Sequence, residues 1–277
     1  MANNSIMSEL GPADVISEIR LLLNEPRHIH TTFIVLEGDS DRKLFKGLLH
    51  ESATVLKPHN SKNGLESIVI EHFKRKARVI GIRDKDYVFK KSRSPRIFYC
   101  DYCCAEMMII SMDACMNKLY SEYYIGEWTY SDLRCYILKK LRFFSLCRKY
   151  NELYRWGINF KGITPNGCFD EDDYKMGNNF VSKINKQNPK NLLSNNRLAD
   201  INNDATDGYC DLLNITNGHD FVNLFVELCN KPNNRNVSEK NVESAMRCSL
   251  SIAEFAQTTL YQGLANYQSK YQLNILR

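Results

Sequence analysis

The stretch Thr31-Thr-Phe-Ile-Val-Leu-Glu-Gly-Asp-Ser-Asp41 decides the fold prediction for this chain. Its first six residues are β-branched or apolar without interruption, as in a strand that is buried on both faces. An acidic turn, Glu37-Gly38-Asp39, ends the strand, and Ser40 is a suitable N-cap for a helix that runs through Leu49. The stretch therefore predicts a strand, a turn and a helix of the kind found in parallel α/β sheets.

The flanking sequence repeats this alternation. Apolar residues at helical spacing predict helices over 14–24 and 64–76, and short apolar runs predict strands over 53–56, 77–82 and 96–100. Strands that alternate with helices indicate a mostly parallel sheet of about four strands flanked by helices, which is a Rossmann-like α/β fold.

Helical spacing dominates after about residue 103, and the polar segment 164–207 is predicted to form loops around short elements. Long helices are predicted over 107–120, 130–154 and 221–229, and a last one from Ser238 through Leu264. We predict three segments: an N-terminal helix (1–30), an α/β catalytic domain (31–110) and a helical domain for dimerisation or partner binding (111–277).

Carboxylates follow two of the predicted strands. Glu37 ends the first, and Asp84-Lys85-Asp86 follows the run 77–82. Because open α/β sheets bind ligands at the carboxyl ends of their strands, these groups would form one cluster of hard oxygen ligands for Mg²⁺ or Mn²⁺. Asp84 and Asp86 point the same way only where the chain is locally extended, and a surface turn is the alternative interpretation of this pair.

Composition restricts the function classes. The 277 residues carry a net charge of +5 and contain no apolar run long enough to cross a bilayer, so no membrane association is expected. The N-terminus does not resemble a signal peptide, and ten scattered cysteines suit a reduced, cytoplasmic setting. Segments 57–96 and 134–161 have twelve and eight Lys/Arg against four and one Asp/Glu, which suits a nucleic-acid partner or a solvated face.

At this point the sequence resembles a family. The run Val35-Leu-Glu-Gly-Asp-Ser-Asp41, followed by Asp84-Lys-Asp86, is similar to the Toprim domain of topoisomerases, bacterial primases and overcoming-lysogenization-defect nucleases. Phe98-Tyr-Cys-Asp101 and Asn217-Gly-His-Asp220 extend the similarity to stand-alone Toprim effectors with helical C-terminal regions. Among these, the chain most resembles the AriB effectors, which are paired with an ABC-type ATPase in the PARIS anti-phage defence system.

The resemblance implies roles for five carboxylates. Glu37 would be the general acid/base or a carboxylate poised for the metal, and Asp84 and Asp86 would hold the ion. Asp41 ends the Glu-Gly-x-Ser-Asp motif and would bind or orient a second ion, and Glu106 would complete the site. The catalytic residues would be Glu37, Asp84 and Asp86, with Mg²⁺ or Mn²⁺ as cofactor.

The function that follows is a metal-dependent Toprim endonuclease and toxic effector. It would hydrolyse phosphodiester bonds in RNA, with tRNA as one candidate, or in DNA, would be a homodimer when active, and would be restrained by an ATPase partner. No phosphate-binding loop of the Gly-x-x-x-x-Gly-Lys type occurs, so ATP hydrolysis would belong to the partner. The alternatives are a non-catalytic scaffold or sensor subunit and a primase-like nucleotidyl transferase.

Four basic residues near the carboxylates are candidate nucleic-acid contacts, with ordinary solvated side chains as the alternative: Lys57, Lys62, Arg83 and Lys85. Cys100-x-x-Cys103-Cys104 has no second ligand pair, so a buried strand end is favoured over a zinc site. His219 is interpreted as part of a helix start rather than a base. The aromatic and basic stretch 142–160 is interpreted as core with a solvated face, with base stacking as the alternative.

Overall fold

The structure is a computed structural model that describes residues 12–58, 61–87, 94–165, 178–231 and 236–277. These residues form two compact units. Within the described ranges, the first unit comprises residues up to 84, 94–101 and 251–277, and the second comprises 85–87 and 102–250. The three predicted segments remain a prediction, although the first unit differs from them by including the end of the chain.

The first unit is built on a four-stranded, fully parallel sheet in the order β2-β1-β3-β4. Phe33 of β1 pairs with Thr54 of β2 and with Val79 of β3, and Gly81 of β3 pairs with Ile97 of β4. The predicted α/β fold with a parallel, Rossmann-like sheet is therefore confirmed. The strands are β1 (Phe33–Leu36), β2 (Thr54–Leu56), β3 (Val79–Arg83) and β4 (Ile97–Tyr99).

The two central strands, β1 and β3, are buried at every residue, which explains the apolar sequence of β1 and of β3 as far as Ile82. Gly81 is required where the sheet meets a helix, because a Cβ there would lie 2.7 Å from Leu65 Cδ2. Helix α2 begins at Asp39 with Gly38 as its N-cap, so the prediction of Ser40 in that position is wrong. The helices of this part are α1 (Pro12–Asn24), α2 (Asp39–Phe45) and α3 (Ser61–Glu66), with a 3₁₀ turn at Pro26–His28 and a π-helical turn at Ser67–His72.

The second unit is helical. The segment 107–120 is not one helix, because Met112 adopts an extended conformation between two of them. The described part of the segment 164–207 contains two short helices, which agrees with the prediction of loops around short elements. The helices are α4 (Ala105–Ser111), α5 (Asp113–Tyr123), α6 (Tyr130–Tyr154), α7 (Asn178–Gln187), α8 (Asn195–Asn202), α9 (Tyr209–Ile215), α10 (Gly218–Asn230) and α11 (Glu239–Ser249).

The chain then returns to the first unit through α12 (Ile252–Phe255) and α13 (Thr259–Tyr271). The single helix predicted from Ser238 through Leu264 is therefore three, although Ser238 does cap the first of them. Tyr267 of α13 donates a hydrogen bond to Ala77 O at 3.0 Å and packs edge-on against Phe98 of β4. Among the helices in the described ranges, none combines the length and apolarity needed to span a membrane.

Candidate active site

Glu37 and Asp84 leave the same edge of the sheet from neighbouring strands. Leu36 pairs with Ile82, so Glu37 lies one residue beyond the last pair of β1 and β3, and Asp84 lies two residues beyond it. Both are half-buried, and the Glu37 side chain is only 14% exposed. The parallel sheet therefore brings together two of the predicted carboxylates at its carboxyl edge, where ligands bind in this class of fold.

Arg83 is the cation of this edge. It is buried at the end of β3, where its Nη1 donates to Glu66 Oε1 at 2.6 Å and its Nε lies 3.2 Å from Glu37 Oε1. The hydrogen bond from this Nε goes to the carbonyl of Asp84, so its contact with Glu37 is an ion pair, and the guanidinium lies 5.6 Å from the centre of the Tyr99 ring. This placement favours a role in orienting Glu37 over the predicted direct contact with nucleic acid.

Asp41 supports the turn that carries Glu37. Its Oδ2 accepts a hydrogen bond from the backbone N–H of Gly38, the N-cap of α2, at 2.9 Å, which is the one half of a capping box that a glycine N-cap can form. The absence of a side chain at Gly38 suits this contact, because a Cβ would already lie 3.5 Å from Oδ2. Asp41 therefore has a structural task in addition to the ion-binding role that the resemblance implies.

Two of the predicted nucleic-acid contacts also lie in the first unit. Lys57, just after β2, donates to Asp39 Oδ2 at 2.6 Å on the exposed surface, and Lys62 lies half-buried in α3. The hydrogen bond from Lys57, with a smaller contribution from Arg42, holds the pKa of Asp39 below its usual value. Lys57 therefore pairs with Asp39 in this structure, and a phosphate bound by Lys57 would have to replace Asp39 as its partner.

The remaining members of the motif belong to the second unit. Lys85 Nζ donates to Asn214 Oδ1 at 2.8 Å, and the backbone N–H of Asp86 donates to Cys103 O at 2.7 Å. Asp86 has a φ of 47°, in the left-handed region that aspartate tolerates better than most residues. The chain is therefore not extended through Asp86, and the condition for Asp84 and Asp86 to point the same way is not met.

Glu106 lies in the first turn of α4, against the start of α10. A Cβ at Gly218, the first residue of α10, would lie 2.5 Å from Glu106 Oε2 and 2.7 Å from its Cβ and Cδ. Only glycine allows this approach without displacing the glutamate. The positive end of the α10 dipole also favours a carboxylate at this position.

The five carboxylates divide between the units: Glu37, Asp41 and Asp84 lie in the first, and Asp86 and Glu106 in the second. No group of three or more His, Cys, Asp or Glu side chains arranged to hold a metal ion is found in the described ranges. The donor set nevertheless suits Mg²⁺, which commonly takes one or two protein carboxylates and completes its shell with water and substrate phosphate oxygens.

Two carboxylates that the sequence analysis named in motifs, without a catalytic or metal-binding role, have structural partners. Asp101, directly after β4, accepts hydrogen bonds from Thr259 N, Thr259 Oγ1 and Leu260 N, and so caps α13. Asp220 is buried in a two-bond ion pair with Arg148, at 2.6 and 2.9 Å. Neither pairing can be predicted from a local sequence pattern, because Thr259 is 158 residues from Asp101 and Arg148 is 72 residues from Asp220.

The other predictions can be placed directly. His219 is 76% exposed next to Glu243, and Asn217 caps α10 through His219 N, as the helix-start interpretation requires. Cys100, Cys103 and Cys104 are each buried. In the stretch 142–160, Phe144 and Phe160 are buried whereas Tyr154 is 62% exposed, so the stretch is core on one side only.

Comparison with known proteins gives no family assignment. No protein-family model matches the chain, and no curated protein matches it. A functional assignment therefore depends on the residues and geometry described above and on the resemblance to Toprim domains.

Proposed function

We propose that this chain is a metal-dependent nuclease of the Toprim type. The observation that carries the proposal is the pair of half-buried carboxylates, Glu37 and Asp84, at the carboxyl edge of adjacent central strands. The resemblance implies a metal-binding role for Asp86 as well, but its left-handed backbone does not form the extended Asp84–Asp86 pair that the sequence prediction required. Carboxylate oxygens are the ligands that Mg²⁺ prefers, which supports a site that takes up a divalent ion.

The chemistry would be hydrolysis of a phosphodiester. When bound, Mg²⁺ or Mn²⁺ would supply positive charge for the oxygens on which negative charge develops. Glu37 would accept the proton of the attacking water at a carboxylate oxygen, as the P–O bond to the leaving oxygen breaks and that oxygen takes up a proton. Arg83 would hold Glu37 in the orientation that this transfer requires, since its own position is set by Glu66 and Tyr99.

The biological setting is proposed from the resemblance alone. It is that of a cytoplasmic, toxic effector in an anti-phage system, homodimeric when active and restrained by an ABC-type ATPase. RNA, with tRNA as one candidate, is the favoured substrate, and DNA is the alternative. The excess of basic residues in 57–96 and 134–161 would hold the nucleic-acid backbone.

A cleavage assay on RNA and DNA with and without Mg²⁺ tests the proposal. Glu37→Gln, which keeps an acceptor for Arg83, should lower the cleavage rate by about 10²–10⁴-fold, the usual contribution of a general base. Asp84→Asn should do the same. Asp39→Asn is the matched control, because Asp39 is exposed and pairs with Lys57. Equal cleavage by wild type and Glu37→Gln would refute the assignment.

A non-catalytic scaffold or sensor is the second candidate. The finding in its favour is that Arg83 already pairs with Glu37, and that the described residues hold no preformed group of three metal ligands. Thermal unfolding with Mg²⁺ or Mn²⁺ separates the two. An ion present at 100 times its Kd should raise the free energy of unfolding by about 2.7 kcal/mol. No shift in the wild type, together with no cleavage, would favour the scaffold.

A further inference from the structure

Three aromatic rings meet at the end of α6, within the second unit. Tyr150 and Tyr154 lie one turn apart with ring centres 5.4 Å from each other, and the Trp156 ring centre lies 5.8 and 6.1 Å from theirs. Arg155 brings the tryptophan to this position, because its left-handed backbone, with a φ of 51°, ends the helix and turns the chain. These three rings form the α6 aromatic cluster.

One side of the α6 aromatic cluster is open to solvent. Tyr154 is 62% exposed, more than any other phenylalanine, tyrosine or tryptophan in the described ranges. The ring planes of Tyr154 and Trp156 differ by only 20°, so the two side chains present nearly parallel faces. Exposed tyrosine, tryptophan and arginine side chains occur at protein interfaces and at nucleic-acid interfaces alike. The charge around the rings therefore has to decide between these partners.

Three cations lie around the cluster. The Arg197 guanidinium of α8 lies 4.9 Å from the Trp156 ring centre. Arg155 is exposed in the turn between the two outer rings. Lys190 is also exposed, directly before Asn191, whose side chain donates to the carbonyl of the residue after Trp156 at 2.9 Å. The surface next to the exposed ring is therefore positively charged.

The nearby carboxylates offset only part of this charge. Asp204 is 10% exposed and already pairs with Lys149 at 3.2 Å and with the Tyr150 hydroxyl at 3.0 Å. Glu152 lies two residues after Tyr150 in α6, so it faces away from the rings. Asp200 is exposed on α8 and offsets one of the three cations. A net positive charge remains beside the cluster.

A second exposed aromatic pair in the same unit has the opposite charge around it. Tyr124 and Trp128 have ring planes only 10° apart and ring centres 6.4 Å apart, and Trp128 is 37% exposed. Their sequence neighbours Glu122 and Glu127 are both exposed. Stacked rings alone therefore do not identify a partner. The cations around the α6 aromatic cluster favour a polyanion there, whereas the carboxylates around Trp128 do not.

We propose that the α6 aromatic cluster binds unpaired bases of a single-stranded nucleic acid. Tyr154 is the stacking surface, and Arg155 and Lys190 contact the phosphates. Proteins that bind single strands without sequence preference combine a positively charged surface with aromatic side chains on which the bases stack. The inference rests on the proposed nuclease function and narrows its substrate to a nucleic acid with a single-stranded segment.

Binding of oligonucleotides to the full wild-type chain tests this proposal, followed by fluorescence anisotropy in EDTA without added metal. The probes are labelled oligo(U) of about 12 nucleotides and an abasic oligomer of the same length, which carries the phosphates without the bases. Oligo(U) should bind at least about fivefold more tightly, the lower end of what one stacked base contributes. Equal affinities, or no binding of either oligomer, would overturn the proposal.

Variants of the exposed ring test its role directly. Tyr154→Ala should lower the affinity for oligo(U) by at least about fivefold and leave the affinity for the abasic oligomer unchanged. Tyr154→Phe should keep the wild-type affinity, because the ring remains. Trp128→Ala is the matched control, since it removes an exposed ring that has acidic neighbours. Wild-type affinity in Tyr154→Ala, or an equal loss in Trp128→Ala, would refute the assignment. If Tyr154→Ala does not fold, the comparison of the two oligomers in the wild type still decides.

The salt dependence of binding tests the phosphate contact separately. For single strands, each phosphate contact contributes about 0.7 to the slope of log affinity against log salt concentration. Lys190→Ala should therefore reduce this slope by about 0.7, whereas Tyr154→Ala should leave it unchanged. A wild-type slope in Lys190→Ala would contradict the phosphate contact of this lysine.

The stacking surface and the nuclease can fail independently. Base-dependent binding by a chain that cleaves neither RNA nor DNA would retain the stacking surface and remove the nuclease. Glu37-dependent cleavage, together with equal affinities for oligo(U) and the abasic oligomer, would retain the nuclease and remove the stacking surface.

Discussion

Replacing Arg83 with methionine removes the cation next to Glu37 and keeps a side chain of similar length. The exposed fractions decide what this should cost, since the Arg83 and Glu37 side chains are only 6% and 14% exposed. Removing one partner of such a buried pair costs about 3–5 kcal/mol, because the other charge loses its compensation. Glu66 is 43% exposed, so its contact with Arg83 adds at most about 1 kcal/mol.

We therefore expect Arg83→Met to lower the free energy of unfolding by about 3–5 kcal/mol, measured by urea denaturation. For a chain of this length that corresponds to a melting temperature lower by about 6–10 °C. Arg42→Met is the matched control, because Arg42 is exposed and lies 3.5 Å from an exposed carboxylate, Asp39. It should change the free energy of unfolding by less than about 1 kcal/mol.

A double-mutant cycle isolates the pair. Adding Glu37→Gln to the Arg83→Met variant should restore part of the lost stability, because the buried charge that lost its interaction with Arg83 is then absent. In the wild-type background, Glu37→Gln should instead lower the free energy of unfolding. Equal stability of the Arg83→Met and Arg42→Met variants would contradict the electrostatic reasoning. A Glu37→Gln change with the same effect in both backgrounds would contradict it as well.

Two further predictions concern the helical unit. Gly218→Ala should lower the free energy of unfolding by about 1–3 kcal/mol, because its Cβ would collide with Glu106. Gly47→Ala is the control and should leave the free energy of unfolding unchanged, because a Cβ at Gly47 would have no atom within 4 Å. Equal thermal melts of the two variants would contradict this reasoning. Burial raises the pKa of Asp204, but hydrogen bonds from Thr206 and other neighbours outweigh burial and hold the pKa below its usual 3.8. The ionised Asp204 therefore stabilises the fold above pH 3.8, and this stabilisation is lost as the pH falls below that value. In urea melts, Asp204→Asn should lower the free energy of unfolding more at pH 7 than at pH 3. Equal losses at the two pH values would contradict the prediction.

Much of the fold could be predicted because its signals are local. The buried run before Glu37 and the run before Asp84 each have the uninterrupted apolar character of a central parallel strand. Errors arose where local signals compete. Met112 belongs to an apolar helical pattern, yet its extended backbone divides that pattern in two, and the single helix predicted from Ser238 through Leu264 is three helices.

The sequence by itself determined that Glu37 and Asp84 each follow a strand, because the apolar run that marks a strand is a local pattern. That the two strands are adjacent and central follows only from the sheet order. Only the tertiary structure decided how each charge is used. Arg83 pairs with Glu37, Asp101 accepts hydrogen bonds at the start of α13, and Asp220 pairs with Arg148. The strength of a charge interaction depends on the distance between the charges and on their access to solvent. Neither quantity can be read from neighbouring residues in the sequence, because both depend on partners that are distant in sequence.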